Sequence, residues 1–165
     1  MRKDLLTALS KRLREKAADT RPQLRRFDME TWWSETYDEV CGFACCALGE
    51  ATTVPEIRAA GLFIDDSGTP IPAAVTTDEA LVETLRVTLD FVEPVKRCDG
   101  TWLTYGYDAA AVVFGISKTD AYRLFCPDEY YDLDEVRNCA RLVGVITPVM
   151  VADRIDRLVE LGSTY

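Results

Sequence analysis

The segment CGFACCALGE, residues 41–50, places three cysteines within six positions of a 165-residue chain that has six cysteines and no histidine. Thiolates bind zinc or act as nucleophiles, whereas neutral thiols pack as small apolar side chains. A structural zinc site needs four ligands, and the sequence has neither a Cys-x-x-Cys pair nor a histidine to complete a set. A cysteine nucleophile usually works with a neighbouring base, most often histidine. The spacing therefore favours a close-packed core segment over a metal site or a nucleophile.

On a helix, small residues of this segment would form one strip, made of Gly42, Cys46 and Gly49. Such a strip lets a second helix or a loop approach closely, with cysteine packed as a small hydrophobe. We therefore expect a short buried helix here. Cys41 stands at its expected start and is the best candidate for a reactive thiol, although the acidic residues just before it oppose thiolate formation.

The composition excludes several kinds of catalysis. Without histidine there is no Ser-His or Cys-His catalysis and no HExxH zinc protease. The phosphate-binding patterns GxxxxGK[ST] and GxGxxG are also absent. Pairs of carboxylates could still act on a glycosidic bond, but 28 Asp and Glu residues are first of all expected to form a solvated acidic surface. We predict no catalytic residue, no metal and no cofactor, and we favour a role that is not enzymatic.

Charge is segregated along the chain. Residues 1–26 carry nine Lys or Arg and three Asp or Glu, a net charge of +6, whereas residues 27–95 have a net charge of −12. The whole chain has a net charge of −9 and a pI near 4.6, which argues against a nucleic-acid or anionic-membrane binder. Two arrangements are available to the basic segment. It can fold back onto its own acidic body or a second copy, or it can project and leave an acidic face for a basic partner.

Localisation follows from the apolar pattern. No run of about 18 apolar residues is present, so we expect no transmembrane helix. The start MRKDLL lacks the apolar stretch of a secretory signal. We therefore predict a cytoplasmic protein with reduced cysteines.

The periodicity of apolar residues predicts a mainly α fold, a single compact domain over residues 1–165 with one small β-hairpin. A basic amphipathic helix is expected within residues 1–20, followed by an acidic helical body over residues 27–165. The hairpin is expected around Asp65–Gly68, with Pro70 and Pro72 restricting its second strand to an edge. Further helices are predicted in the segments VPEIRAAG, TTDEALVETLRVTLDF, YDAAAVVFGISKTDAYRLF, DLDEVRNCARLVGV and TPVMVADRI.

The stretch AAVVFGISKTDAYRLF, residues 110–125, resembles the helix-turn-helix pattern of repressors, with Gly115 at the turn. The resemblance implies DNA contacts from Ser117, Lys118 and Arg123. Two features depart from the pattern, because the first helix is apolar nearly all round and few cations stand near the motif. Since phosphate contacts dominate DNA affinity, we favour a structural helix pair.

A second resemblance covers most of the chain after residue 27. The segment CGFACCALGEA, a later Ala-rich segment ending Phe114-Gly115-Ile116, and TPVMVADRI are similar to a family of small uncharacterised proteins of bacteria and their phages with a Cys-Gly-x-x-x-Cys-x-x-Gly-x-Ala core motif. The family carries no established activity. The resemblance implies a bacterial or phage origin and a cytoplasmic setting, and it transfers no catalytic residue.

Three functional hypotheses follow. The first is an interaction protein that binds a protein partner, such as a host-defence component, through a charge-segregated surface; a homo-oligomer is compatible with it. The second is a binder that sequesters a small anionic ligand or nucleotide, and the third is the helix-turn-helix regulator. The residues expected to bind a ligand or partner are Arg25, Arg26, Trp32, Trp33, Tyr105 and Tyr107.

Overall fold

A computed structural model describes residues 1–19, 46–65, 71–86, 93–131 and 146–162 of the chain. Within these ranges the elements are, in order, α1 (Lys3–Ala18), α2 (Ala47–Ala51), α3 (Pro55–Ala59), β1 (Leu62–Asp65), β2 (Ile71–Thr76), α4 (Glu79–Arg86), β3 (Val95–Lys96), β4 (Trp102–Tyr105), α5 (Gly106–Phe114), α6 (Lys118–Phe125), α7 (Asp128–Tyr131) and α8 (Pro148–Leu161).

The described strands form a four-stranded antiparallel sheet in the order β1-β2-β4-β3. The fold is therefore an α/β mix, and the prediction of a mainly α domain with one small hairpin is wrong. The β1–β2 hairpin was expected, but β3 and β4 were not. The short strand β4 runs directly into α5 without a turn residue other than Gly106, whose φ is +53°.

The position of β2 corrects a second expectation. Pro72 was expected to keep this strand at an edge, yet β2 lies between β1 and β4. Pro72 pairs with Ile64 of β1 but comes before Ala73, the first residue of the ladder with β4. Because proline cannot donate a ladder hydrogen bond, it is tolerated where β2 has a neighbour on one side only.

Helix α1 is part of the core. Its buried leucines are at most 2% exposed, and they recur at the spacing of one helix face: Leu5, Leu6, Leu9 and Leu13. This face packs mainly on α8, whose Val151, Ile155 and Leu158 are buried in turn. The predicted amphipathic helix is confirmed. The basic residues on the other side of α1 are therefore fixed in position, because the apolar side of the same helix is packed in the core.

Helix α5 is the central element beneath the sheet. It packs on β2, β4 and β1 and on α6, and nearly all its side chains are buried, including Ala109, Ala110 and Phe114 at 0% exposure. One apolar cluster takes residues from α1, α2, α3, β1, β2 and from α4 to α8. Helix α5 is the helix whose sequence is apolar nearly all round, and the structure shows that other elements cover it on nearly every side.

Local sequence chemistry accounts for several helix ends. Gly115 ends α5 in the left-handed conformation with φ of +59°, which glycine adopts without strain. Ser117 caps α6 through the N–H of Asp120 at 3.0 Å, and Thr147 caps α8 before Pro148. The cap of α4 follows the same rule. Asp78, not Thr77, accepts the N–H of Leu81 at 2.9 Å, since aspartate is the better N-cap.

The predicted helix in DLDEVRNCARLVGV lies outside the described residues except for its beginning. The same holds for Cys41, Gly42 and Cys45 of the cysteine segment.

Candidate functional site

The sheet has one buried face and one apolar face that is partly exposed. Residues paired across antiparallel strands point to the same side of a sheet. One such row, Leu62, Ala74 and Thr104, is buried at 1% exposure or less. The alternating rows point the opposite way. We call these residues the outer sheet face: Phe63, Ala73 and Tyr105 in one row, and Val75, Leu103 and Val95 in the next.

Large side chains on the outer sheet face are open to solvent. Phe63 is 39% exposed, Val75 is 38% exposed and Val95 is 50% exposed. They are half of the six large apolar residues that are exposed in the described part of the chain. Single exposed apolar residues are ordinary, but contiguous ones mark interaction surfaces. The outer sheet face is therefore the strongest candidate for a binding surface in the described ranges.

One polar interaction orders this face. The Tyr105 hydroxyl donates a hydrogen bond to the carboxylate of Asp65, which lies on the same side of the sheet two residues beyond Phe63. Burial and then this hydrogen bond raise the pKa of Tyr105 above its ordinary value. The interaction reaches from β4 across β2 to β1. It fixes the tyrosine ring over the middle of the sheet, next to Ala73, which is 0% exposed.

Tyr105 was predicted from the sequence as a binding residue, whereas the other members of the face were not. Val95 and Leu103 belong to a hairpin whose turn is closed by Arg97 and Thr101, with Gly100 at φ of +83°. The signal for this hairpin was the Asp99-Gly100 dipeptide between two β-prone stretches, one of the strongest local hairpin signals. Once this pairing is known, the alternation in TWLTY shows which residues point outward.

Tyr107 lies elsewhere. It belongs to the first turn of α5, is half-buried, and meets the Tyr122 ring edge-on at a centroid distance of 5.2 Å. Burial and then a hydrogen bond with Cys126 raise its pKa well above the ordinary value. The two tyrosines that were expected to bind together therefore lie in separate environments, and Tyr105 alone is on the outer sheet face.

Ser117 and Lys118 of the DNA-binding hypothesis are committed to internal contacts. Ser117 caps α6. The Lys118 ammonium lies 3.1 Å from the Asp108 carboxylate and donates to the Leu85 carbonyl at 2.9 Å, and its side chain is 10% exposed. Arg123 is half-buried, and its carbonyl accepts from Arg154. The Lys118 side chain is therefore not available to bind a DNA phosphate.

The basic residues of α1 are also engaged by the protein itself. Arg14 contacts Asp153 at 2.7 Å and Asp156 at 2.6 Å on α8. Arg12 and Lys16 both contact Glu50 of α2, a carboxylate that is 0% exposed. Of the two arrangements that the charge pattern allowed, α1 folds back onto its own body. Its charges cannot serve as a projecting basic arm.

Two described cysteines are buried. Cys46 is 1% exposed and caps α2, where its Sγ accepts the N–H of Gly49 at 3.4 Å. Cys126 is 5% exposed, whereas Cys98 is exposed in the β3–β4 turn. In the described ranges, no three Cys, Asp or Glu residues are placed to hold a metal ion. The packing of Cys46 agrees with a core role for that end of the cysteine segment.

The remaining predicted binding residues, Arg25, Arg26, Trp32 and Trp33, lie outside the described residues. None of the helices in the described ranges is both long enough and apolar enough to cross a membrane.

Comparison with known proteins finds no matching family model, no matching curated protein and no matching solved structure. The resemblance to small bacterial and phage proteins therefore stays a prediction.

Proposed function

We propose that the chain is a non-enzymatic binding protein that docks a protein partner on its outer sheet face. The observation that carries the proposal is the exposure of Phe63, Val75 and Val95 on one side of a single sheet. In protein–protein interfaces, most of the binding energy comes from a central apolar cluster that is surrounded by polar residues. Leu103 and Tyr105, both half-buried, join the exposed residues across the strands. The setting is the cytoplasm, where the free thiols of Cys46, Cys98 and Cys126 stay reduced.

Charge specifies the kind of partner. The chain carries a net charge of −9, and α1, its most basic segment, is tied to Glu50, Asp153 and Asp156. A partner that presents an apolar patch with a cationic rim would be attracted by the long-range field, and its association rate would fall with added salt. A second copy of the chain would carry the same net charge. A heterologous, basic partner is therefore favoured over a homo-oligomer.

The test compares proteins captured from cells by the tagged full chain and by two variants. Phe63→Glu/Val95→Glu places charges on the outer sheet face. Leu161→Glu is the matched control, since Leu161 is 65% exposed at the end of α8. Circular dichroism melts establish that all three proteins are folded before capture.

The proposal predicts a protein that the wild type and Leu161→Glu retain and the double variant loses. With that protein purified, the double substitution should weaken the dissociation constant at least about 30-fold, as expected for a lost hot spot. Identical captured proteins in all three samples would contradict the proposal. A concentration-dependent dimer that only the double variant loses would instead identify a second copy as the occupant.

A further inference from the structure

A cleft of about 330 Å³ lies on the side of α1 away from α8, against the turn that joins α2 to α3. One face of α1 lines it with Ala8, Lys11, Arg12 and Glu15, and the turn lines it with Thr53, Val54, Pro55 and Glu56. Ligand pockets in proteins span about 300–1,000 Å³. The cleft is at the small end of this range, so it suits a ligand about the size of a single amino acid.

Arg12 is held in position for this cleft by a buried partner. Its Nε lies 3.2 Å from the carboxylate of Glu50, which is 0% exposed and also contacts the Lys16 ammonium at 2.5 Å. Among the described residues, the Nε contact is the only one of the Arg12 guanidinium. The two Nη groups, with four of its five N–H donors, make no contact with the described residues, and Arg12 lines the cleft. A guanidinium presented in this way is suited to a carboxylate, which it binds through two parallel hydrogen bonds.

Acidic groups line the same cleft. Glu56 is exposed and has no partner among the described residues, and Glu15 has only a long contact of 3.9 Å with the exposed Lys11. With Lys11 and Arg12, they give the cleft two cations and two carboxylates. This balanced set disfavours a ligand with several negative charges and suits one that carries one charge of each sign. Ala8, Val54 and Pro55 supply apolar surface between the two kinds of charge.

We infer that this cleft binds a small zwitterion of amino-acid size with an apolar side chain. The ligand carboxylate lies on the Nη groups of Arg12. The ligand ammonium lies against Glu56, since Glu15 already contacts Lys11, and the ligand side chain covers the apolar surface. This site is separate from the outer sheet face and does not depend on the docking proposal.

The experiment titrates the isotopically labelled full chain with three matched probes and follows backbone amide signals by NMR. L-Leucine carries both charges, 4-methylpentanoate is the same skeleton without the amine, and 3-methylbutylamine is the skeleton without the carboxylate. We expect saturable shifts at Ala8, Arg12 and Glu56 with leucine at millimolar concentration. Removing either charge from the ligand should weaken binding at least about tenfold.

Two variants locate the charges. Arg12→Gln should abolish the leucine shifts, whereas Arg58→Gln, an exposed arginine on α3 outside the lining, should leave them unchanged. Glu56→Gln does not touch Glu50 and serves if Arg12→Gln fails to fold. It should weaken leucine binding and leave 4-methylpentanoate binding unchanged. Absence of saturable shifts with leucine, or equal affinity for leucine and 4-methylpentanoate, would overturn the inference.

Discussion

At the scale of single residues, Glu50 is the most consequential one that sequence reasoning did not single out. It stands inside the motif CGFACCALGEA, where the cysteines drew attention. Its carboxylate is 0% exposed and contacts Lys16, whose side chain is 6% exposed, as well as Arg12. Buried ion pairs add little stability compared with apolar packing, but removing one member leaves an uncompensated charge. The pair therefore fixes where α2 docks on α1.

We predict that Glu50→Gln lowers the free energy of unfolding by about 3 kcal/mol, the low end of the range for a broken buried pair, because the Arg12 side chain is 37% exposed. Urea denaturation measures the change. The control Glu56→Gln removes an exposed carboxylate a few residues later and should change the free energy by less than about 0.5 kcal/mol. Equal midpoints for the two variants would show that Glu50 carries no buried charge.

The tyrosines give a pH prediction. Burial is the largest cause that raises the pKa values of Tyr107 and Tyr130, and the Tyr130 hydroxyl donates to the Leu124 carbonyl at 2.7 Å. A pKa raised in the folded state means that the neutral phenol stabilises the fold. This contribution is complete below the unfolded pKa of about 10 and is lost as the pH rises above it.

Stability should therefore fall above about pH 10, and these two of the seven tyrosines should ionise only together with unfolding. Tyrosinate absorbance and circular dichroism, followed over the same alkaline titration, measure both events. Full ionisation of all seven tyrosines while the circular dichroism remains native would contradict the assignment.

At the scale of elements, Arg154 joins three helices. From α8 it donates to the carbonyls of Arg123 in α6 and Glu129 in α7, each at 2.8 Å. Its guanidinium also lies 3.7 Å from the centroid of the Tyr130 ring. Lysine cannot make two such hydrogen bonds and stack at once.

We expect Arg154→Lys to destabilise the protein by about 1–2 kcal/mol, from lost hydrogen bonds and a weaker cation–π contact. The matched control is Arg157→Lys, an exposed arginine on the same helix, which should be nearly neutral. Thermal and urea denaturation of both variants provide the comparison. An equal loss of stability in Arg154→Lys and Arg157→Lys would show that Arg154 does not join the three helices.

Sequence patterns predicted the helices well and the sheet poorly. Leu5, Leu9 and Leu13 repeat with the period of a helix, and Pro55, Ser117 and Thr147 mark helix starts by their local chemistry. Both kinds of signal are local. Pairing of β2 with β4 joins residues about 30 positions apart, and short strands of four and six residues have too little alternation to reveal it. The outer sheet face exists only through that pairing, so only Tyr105 was found beforehand.

At the scale of the whole molecule, α1 is a structural element and not an appendage. Four leucines of α1 belong to the common apolar cluster, and the Arg2 N–H donates to the Phe114 carbonyl at the end of α5. The segregation of charge in the sequence therefore reflects how α1 is held, because its cations meet acids of α2 and α8. The acidic excess of the chain remains to attract a basic partner.

Deletion of residues 1–18 should abolish cooperative folding, since it exposes the apolar faces of α8 and α2 that α1 covers. Thermal melts by circular dichroism, with the full chain as reference, test this. A deletion variant that melts cooperatively within a few degrees of the full chain would show that α1 is dispensable. Point substitutions on the outer sheet face are for this reason better probes of binding than truncation.

The most direct test of the docking proposal is hydrogen–deuterium exchange of the full chain, free and bound to a protein that the wild-type chain captures from cells. The account predicts slower exchange on binding in β1, β2, β3 and β4, around Phe63, Val75, Val95 and Leu103, with α1 and α8 unchanged. Protection confined to α1 and α8, with the four strands exchanging as in the free chain, would contradict it.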